Sequence, residues 1–342
     1  MTTLRITDYH ELSGWRPIPM DMPLDCQGDC PCCGEILRGT AMLTPDDISE
    51  AINIGVCDRC GYVGYTTRPE RSWFDAFYAA EWQDGEAPMP LAENSTHPFM
   101  AAIKQIPVGR DTTALEFGCG VGYLLDLTTR QLGWKMLGLE ACKHRAKAAR
   151  DAGFDVLQES IESHQGGPYK VIYSHEVLEH TYDPAQVIKA CAGLQEEGGW
   201  LALSVPNATL EPTMGQLLFL PHLHSFSQCA LHYLLLNNGY LPSVFLSGGT
   251  TSLWVIARRR ADSPREQVIA KWKKALGEGQ EFMPRFWWQK HYDKSGFVSE
   301  ETWPEFSADI EGPRSVAVEQ AERLTNAPIE IQWKGNLCLL VK

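Results

Sequence analysis

The twelve residues Ala114–Leu125, "ALEFGCGVGYLL", decide the fold of this chain. The run Thr113–Phe117 predicts a short buried strand, and Tyr123–Arg130 predicts the start of a helix. Glycines lie between them, and glycine tolerates positive φ angles and lets the backbone approach a ligand. Backbone N–H groups at the start of a helix can also bind a polar group. The stretch therefore predicts a ligand-binding turn, although a tight strand–helix turn without a ligand could use the same glycines, Gly118, Gly120 and Gly122.

Strand and helix patterns alternate from residue 111 to about residue 260, which indicates an α/β fold with a mostly parallel sheet. One helix has a clear start, with Asp183 as its N-cap and Pro184 at its first position. The short link "SGGT" predicts that the last two strands form a hairpin. Seven strands are predicted, at Thr113–Phe117, Lys135–Leu139, Asp155–Leu157, Lys170–Ser174, Trp200–Val205, Leu241–Leu246 and Ser252–Ala257.

A cluster of cysteines near the N-terminus predicts a metal site. Two Cys-x-x-Cys pairs, each followed by glycine, lie in "CPCCGE" and "CDRCGY". Two-residue spacing lets both thiolates of a pair reach one metal ion, and four thiolates suit tetrahedral Zn²⁺. Four cysteine ligands leave no open position for water, so the site is expected to be structural. The predicted ligands are Cys30, Cys33, Cys57 and Cys60.

Two further cysteines leave the ligand set open. Cys32 could replace Cys33 only by forming a cramped Cys-x-Cys pair, and Cys26 lies four residues before Cys30. An iron–sulfur cluster and redox-active thiols are the alternatives to zinc.

Composition limits the classes of function. A length of 342 residues favours two or three domains, and 44% hydrophobic residues are enough for a packed core. A net charge of −13 disfavours broad binding to nucleic acid. The first residues show no signal-peptide pattern, and no segment is long and apolar enough to cross a membrane, so a cytoplasmic protein is expected.

The chain divides by pattern into successive regions. "RSWFDAFYAAEW" and "HPFMAAIKQI" predict helices before the glycine turn, and "PIEIQWKGNLCLLVK" predicts two strands at the end. A charged helix, "SPREQVIAKWKKALGEG", and a Trp-rich stretch are expected after residue 260. The predicted domains are an arm at 1–25, a zinc ribbon at 26–68, a helical connector at 69–110, the α/β domain at 111–260 and an accessory region at 261–342.

Together these motifs resemble the class I S-adenosylmethionine-dependent methyltransferases. "LEFGCGVGYLL" is similar to the family's first motif, and "HEVLEH", a D-P helix start and a strand ending in Val-Pro-Asn are similar to its later strands. The resemblance covers about residues 111–257 and implies a Rossmann-like, seven-stranded sheet, here with an N-terminal zinc ribbon and a small C-terminal extension. A dinucleotide fingerprint would be G-x-G-x-x-G/A, whereas the third glycine here falls one residue early, which disfavours NAD.

The resemblance also implies where S-adenosyl-L-methionine would bind. Glu140, about twenty residues beyond Gly120, takes the place of the acid that accepts hydrogen bonds from the ribose hydroxyls. Glu116 would lie beneath the turn and contact the methionine ammonium group. The implied cofactor-binding residues are Glu116, Phe117, Gly118, Cys119, Gly120, Gly122, Tyr123, Leu124, Glu140, Ala141, Ser160, Ile161 and His175.

Histidines are the candidate bases for methyl transfer. "PHLHSFS" resembles an E-H-L-x-x-F-S element of ubiquinone-type O-methyltransferases and deoxysugar C-methyltransferases, in which His222 takes the histidine position. The sequence departs from that pattern at Pro221 and Phe219. A capping role for His222 is the structural alternative. The candidate catalytic residues are His222, His175 and His224.

The leading hypothesis is methyl transfer to a small-molecule acceptor, such as a nucleotide-linked sugar or a natural-product intermediate. One alternative is an enzyme that modifies a protein or RNA and uses the ribbon to dock its substrate. Another is a non-catalytic partner subunit that binds the cofactor.

Overall fold

The computed structural model describes residues 23–43, 52–57, 59–81, 95–207, 221–247, 252–260, 330–334 and 337–341. Its strands are β1 Leu24–Cys26, β2 Arg38–Leu43, β3 Ile52–Val56, β4 Val63–Tyr65, β5 Thr67–Pro69, β6 Thr113–Phe117, β7 Lys135–Leu139, β8 Val156–Leu157, β9 Tyr169–His175, β10 Gln195–Pro206, β11 His224–Ser225, β12 Tyr240–Ser247, β13 Ser252–Arg259, β14 Glu330–Lys334 and β15 Leu337–Val341. Its α-helices are α1 Arg71–Glu81, α2 Met100–Ile103, α3 Tyr123–Leu132, α4 Lys143–Asp151, α5 Pro184–Gly193 and α6 Gln228–Asn237, and a 3₁₀ turn covers Leu178–His180.

The chain forms two compact units. The first, the ribbon unit, comprises Met1–Trp73, Asn207–Ala230 and Glu266–Lys342. The second, the sheet unit, comprises Phe74–Pro206 and Leu231–Arg265. Among the described residues, no helix has the length and apolar character needed to cross a bilayer.

The sheet unit is built on a seven-stranded sheet with the order β12-β13-β10-β9-β6-β7-β8. The neighbours from β10 to β8 are parallel, whereas β13 runs antiparallel to both β10 and β12. This confirms the predicted α/β class, all seven strands and the terminal hairpin. The strand order reverses between β6 and β9, and ligands of open α/β sheets bind at such a switch point.

The local rules of the sequence explain the helices around this sheet. The Asp183 carboxylate accepts hydrogen bonds from the backbone N–H groups of Ala185 and Gln186, both at 3.0 Å, and Pro184 follows as the first helical residue. This confirms the predicted N-cap of α5. Helix α3 begins directly after the glycines, as predicted, and its apolar face packs into a buried cluster with residues of α2 and the sheet.

The ribbon unit contains a four-stranded sheet with the order β11-β4-β3-β2. Strands β2, β3 and β4 form an antiparallel meander, and β1 pairs with β5 in a separate two-stranded sheet. The edge strand β11 comes from residues 224–225, far along the chain, and runs antiparallel to β4. The "PHLHSFS" segment thus supplies an edge strand to the sheet of the cysteine-rich region.

Several predictions for the chain ends lie outside the described residues. These are the arm up to residue 22 and the charged helix and Trp-rich stretch within residues 261–329. The two strands predicted at the C-terminus are confirmed, because β14 and β15 pair antiparallel. Helix α2 is shorter than the predicted helix and covers only Met100–Ile103.

Candidate functional site

The glycine turn follows β6 at the carboxyl edge of the sheet. Gly118, Gly120 and Gly122 all have positive φ angles, of 67°, 56° and 94°. The N–H group of Gly118 donates to the Leu139 carbonyl at 2.8 Å, which joins the turn to the end of β7. The backbone conformation therefore requires glycine here, as the sequence predicted.

The three glycines differ in what surrounds them. A Cβ atom on Gly118 would lie 2.4 Å from a Val177 methyl carbon, and one on Gly122 would lie 2.4 Å from the Phe154 ring. A Cβ atom on Gly120 would meet no atom of the protein within 4 Å. Gly118 and Gly122 are thus explained by packing within the protein. Gly120 borders open space, and it is the glycine of the turn that fits a cofactor cradle.

Glu140 lies at the end of β7 and contacts the turn directly. Its Oε2 accepts a hydrogen bond from the N–H group of Gly120, and its Oε1 accepts one from the N–H group of Cys142, both at 2.8 Å. Burial raises the pKa of Glu140, while these two backbone donors oppose that rise. Each carboxylate oxygen keeps a second lone pair, so both can still accept hydrogen bonds from a vicinal diol.

Glu116, two residues before Gly118, is buried. Its Oε2 accepts a hydrogen bond from the Tyr173 hydroxyl at 3.1 Å, and that hydroxyl lies 2.9 Å from Oγ1 of Thr128. Burial raises the pKa of Glu116 well above its ordinary value. The group is therefore held in a polar chain that links β6, β9 and α3. A contact with a cofactor ammonium group remains a prediction.

His175, at the end of β9, packs in a cluster of rings. The His97 ring lies edge-on to His175 with centroids 4.5 Å apart, and Phe99 lies edge-on at 5.5 Å. Burial and, to a lesser extent, His97 lower the pKa of His175 to about 4. The Phe99 N–H group donates to Nδ1 of His97 at 3.2 Å, and the Tyr123 hydroxyl donates to the Thr96 carbonyl at 3.2 Å. Segment 95–99 is thereby fixed beside α3.

Sequence reasoning missed His97, since it lies sixteen residues before β6 in a stretch with no motif. It also missed an acidic pair after β9, the half-buried Glu176 and the buried Glu179. Glu176 has a φ angle of 52°, and its Oε1 accepts hydrogen bonds from the hydroxyls of Ser204 at 2.9 Å and Ser252 at 3.2 Å. Glu179 is 1% exposed, and neither of its carboxyl oxygens makes an ordinary hydrogen bond. Burial and the neighbouring Glu176 raise the pKa of Glu179 well above its ordinary value.

The remaining predicted cofactor residues lie around the same edge of the sheet unit. Phe117 and Cys119 are buried on either side of Gly118, and Leu124 is buried in α3. Ala141 is exposed directly after Glu140. Ser160 and Ile161 lie in the loop that follows β8, where Ser160 is half-buried and Ile161 is buried. Their contact with a cofactor remains a prediction.

The four predicted cysteine ligands converge in the ribbon unit. All four sulfur atoms lie within 4.8 Å of one another, with Cys30 and Cys60 at 3.5 Å and Cys33 and Cys57 at 3.3 Å. Zinc–sulfur bonds of about 2.3 Å in a tetrahedron separate the sulfurs by about 3.8 Å, so the arrangement fits zinc. Burial raises the pKa of Cys60 well above its ordinary value, so a bound cation would be needed to hold four thiolates there.

The turns after each cysteine pair have matching geometry. Gly34 donates its N–H to the Cys30 carbonyl and Gly61 donates to the Cys57 carbonyl, both at 2.9 Å. Both glycines have positive φ angles, of 77° and 70°. Cys32 is buried but does not belong to the four-sulfur group, and Cys26 is exposed. The Cys-x-x-Cys spacing therefore selected the four clustered cysteines correctly.

The other two candidate histidines belong to the ribbon unit. His224 is 1% exposed, and its Nδ1 lies 2.5 Å from the Tyr62 hydroxyl. We infer that His224 stabilises the ribbon sheet, which leaves His222 as the candidate base of this segment. His222 is half-buried, and burial lowers its pKa to about 4.

Comparisons with known proteins agree with this geometry. Residues 90–241 match the family model of the methyltransferase domain. A ubiquinone biosynthesis O-methyltransferase of Serratia proteamaculans is 39% identical over 106 residues, which are 28% of this chain and 44% of that protein. The Bordetella pertussis protein of the same name is 32% identical over 141 residues, which are 38% of this chain and 57% of that protein. The matched segments thus span about half of each curated relative.

Among solved structures, an S-adenosylmethionine dependent methyltransferase of Mesorhizobium loti is 15% identical, covers 48% of this chain and 98% of its own, and has a TM-score of 0.42. The family model covers β6 to β11, the glycine turn and Glu140. Residues 90–241 of this chain are therefore similar to the methyltransferase domain family, as the resemblance to class I S-adenosylmethionine-dependent methyltransferases implied.

Proposed function

We propose that this protein transfers a methyl group from S-adenosylmethionine to a small-molecule acceptor. The observation that carries the proposal is the contact between Glu140 and Gly120, which joins an acidic side chain to the glycine that borders open space. The names of the matched relatives refer to ubiquinone biosynthesis, which supports an acceptor of low molecular weight.

The residues of the sheet unit fit the cofactor. When bound, S-adenosylmethionine supplies an electrophilic methyl group on a sulfonium. Glu140 would accept hydrogen bonds from the ribose hydroxyls through its remaining lone pairs. The absence of a side chain at Gly120 leaves room for the cofactor beside the backbone. Neutral rings at His97 and His175 suit a cationic ligand, because burial lowers the pKa of both imidazoles.

His222 is proposed as the general base. Its pKa of about 4 makes it neutral near pH 7, so its imidazole can accept a proton. Within the sequence resemblance, a nucleotide-linked sugar or a natural-product intermediate remains the proposed acceptor class.

The four-cysteine site is proposed to hold a structural zinc ion. All four ligand positions are supplied by the protein, so the ion would stabilise the ribbon without binding water or substrate. The zinc ribbon is therefore assigned to folding, and the reaction itself to the sheet unit and His222.

The function can be tested with S-adenosylmethionine labelled in its methyl group. The full-length protein is incubated with an extract of its source cells, and the label is separated into small-molecule, protein and RNA fractions. Label that enters the small-molecule fraction and depends on active protein would support the proposal. Label confined to protein or RNA would instead support a macromolecular substrate. The His222→Gln variant should lower the transfer rate by roughly 10²–10⁴-fold, as expected for loss of a general base.

A further inference from the structure

The segment that carries His222 is fastened to the ribbon sheet. Strand β11 pairs antiparallel with β4, so that His224 lies opposite Gly64 and Ser225 lies opposite Val63. Both chain segments belong to the ribbon unit. Leu223, directly after His222, is 1% exposed. The backbone that follows the candidate base is therefore part of the sheet whose strands β3 and β4 flank Cys57 and Cys60.

A buried hydrogen bond joins the two strands through their side chains. Tyr62 is fully buried, and its hydroxyl lies 2.5 Å from Nδ1 of His224. A Cβ atom on Gly64 would lie 2.1 Å from the Tyr62 hydroxyl oxygen and 3.0 Å from the Leu223 carbonyl oxygen. Only glycine at this position lets the phenol cross β4 and reach His224. Tyr62, Gly64 and His224 are thus arranged around this one hydrogen bond.

A second contact joins the segment to the cysteine turn itself. The Ser227 hydroxyl donates to the carbonyl of Cys60 at 2.6 Å and accepts from the N–H group of Ala230 at 2.9 Å. Ser227 therefore caps the start of α6 while it holds the backbone of a predicted zinc ligand. The Tyr62–His224 and Ser227–Cys60 contacts are called the latch below.

We propose that the latch positions the imidazole of His222, with Tyr62 and Ser227 as positioning residues for methyl transfer. His222 is two residues from one latch contact and five residues from the other, and it lies next to the buried Leu223. The folding of the ribbon then fixes the candidate base. This inference rests on the proposed function for the catalytic role of His222, but the positioning itself can be measured without an acceptor.

The test compares three latch variants with a matched control in the full-length, zinc-loaded protein. Tyr62→Phe and Ser227→Ala each remove one hydroxyl, and Ser227→Thr restores a hydroxyl at the same place. The control is Tyr240→Phe, which removes another buried tyrosine hydroxyl, the one that donates to Oε1 of Gln195 in the sheet unit. The zinc content and the affinity for S-adenosylhomocysteine are measured for every variant.

Two readouts report on the segment. Hydrogen exchange of a peptide spanning residues 221–230 should accelerate about tenfold in Tyr62→Phe, which loses one buried hydrogen bond, and at least as much in Ser227→Ala, which loses two. The imidazole of His222, assigned by comparison with His222→Gln, is titrated by NMR. Its pKa should move from about 4 towards its ordinary value of 6.5 in both variants, because a released segment admits water.

The outcomes separate positioning from simple ribbon stability. Zinc content and S-adenosylhomocysteine affinity should stay at wild-type levels, Ser227→Thr should restore the His222 titration, and Tyr240→Phe should not alter it. An unchanged His222 titration in both Tyr62→Phe and Ser227→Ala would overturn the proposal, even if the ribbon were less stable. Full methyl transfer by His222→Gln would instead disprove the base, and the exchange and titration data would still decide whether the latch exists.

Discussion

The replacement of Gly120 by alanine tests whether the open space beside the glycine turn is the cofactor site. Gly120 has a φ angle of 56°, and its missing side chain faces no protein atom within 4 Å. The left-handed backbone conformation costs a non-glycine residue about 1–2 kcal/mol. Gly120→Ala should therefore lower the free energy of unfolding by about that amount and leave the fold intact.

Gly118→Ala is the matched control, because it has the same backbone strain but a different environment. Its new methyl group would meet Val177 at 2.4 Å, which adds an overpacking cost of about 1–3 kcal/mol. The total loss of stability should then be about 2–5 kcal/mol. Urea denaturation measures both variants, and the expected order is wild type, Gly120→Ala and then Gly118→Ala.

Gly120→Ala has the smaller expected effect on stability, but it should have a large effect on cofactor binding. Titration calorimetry should show that Gly120→Ala weakens S-adenosylhomocysteine binding at least tenfold, because the methyl group occupies space that the ligand needs. This loss exceeds what a change in stability alone would cause in a protein that remains folded. Wild-type affinity in Gly120→Ala, together with the expected loss of stability, would show that the cofactor does not approach the backbone there.

Three other changes test separate parts of the structure. Glu140→Ala should weaken S-adenosylhomocysteine binding by about 1–3 kcal/mol in calorimetry, the cost of leaving polar groups unpaired. Cys33→Ser should lower zinc content and thermal stability together, whereas Cys32→Ser, at a cysteine that is also buried, should keep its zinc, as metal analysis would show. Glu179→Gln should flatten the pH dependence of stability. In the folded wild-type protein the pKa of Glu179 is raised well above 4.5, so unfolding at a pH between 4.5 and the folded pKa releases a proton. The free energy of unfolding of the wild type therefore falls as the pH rises through this range. If the free energy of unfolding fell by the same amount between pH 5 and pH 8 in the wild type and in Glu179→Gln, this last expectation would be contradicted.

The parts of the fold that depend on local pattern were predictable from the sequence. The strand boundaries of β6 and β7 agree with the sequence prediction at both ends, because a buried parallel strand between turn residues has a clear apolar run. The choice of Cys33 over Cys32 followed from the reach of two thiolates towards one ion. In both cases the evidence lay within a few residues of the chain.

Contacts between distant segments were not predictable in the same way. Strand β11 is only two residues long and pairs with a strand about 160 residues earlier, so no periodicity could reveal it. The sequence therefore named His224 only as a catalytic candidate and did not reveal its contact with Tyr62. The function of Gly122 was also ambiguous, because the Phe154 ring that fills its space comes from beyond β7.

The buried acids after β9 illustrate a further limit. The sequence "HEVLEH" is similar to a family motif, but it did not reveal that Glu179 is enclosed without an ordinary hydrogen bond. Charged residues are usually exposed, so composition and pattern predict that a glutamate such as Glu179 is exposed. Such a group becomes visible only when the surrounding chain has been placed.

The central claim is that the glycine turn and Glu140 bind S-adenosylmethionine and not a dinucleotide. Titration calorimetry of the wild-type protein with S-adenosylhomocysteine and, separately, with NADH tests it most directly. We expect one S-adenosylhomocysteine per chain to bind with micromolar affinity, and NADH to give no binding heat. Binding of NADH with no heat from S-adenosylhomocysteine would contradict the claim.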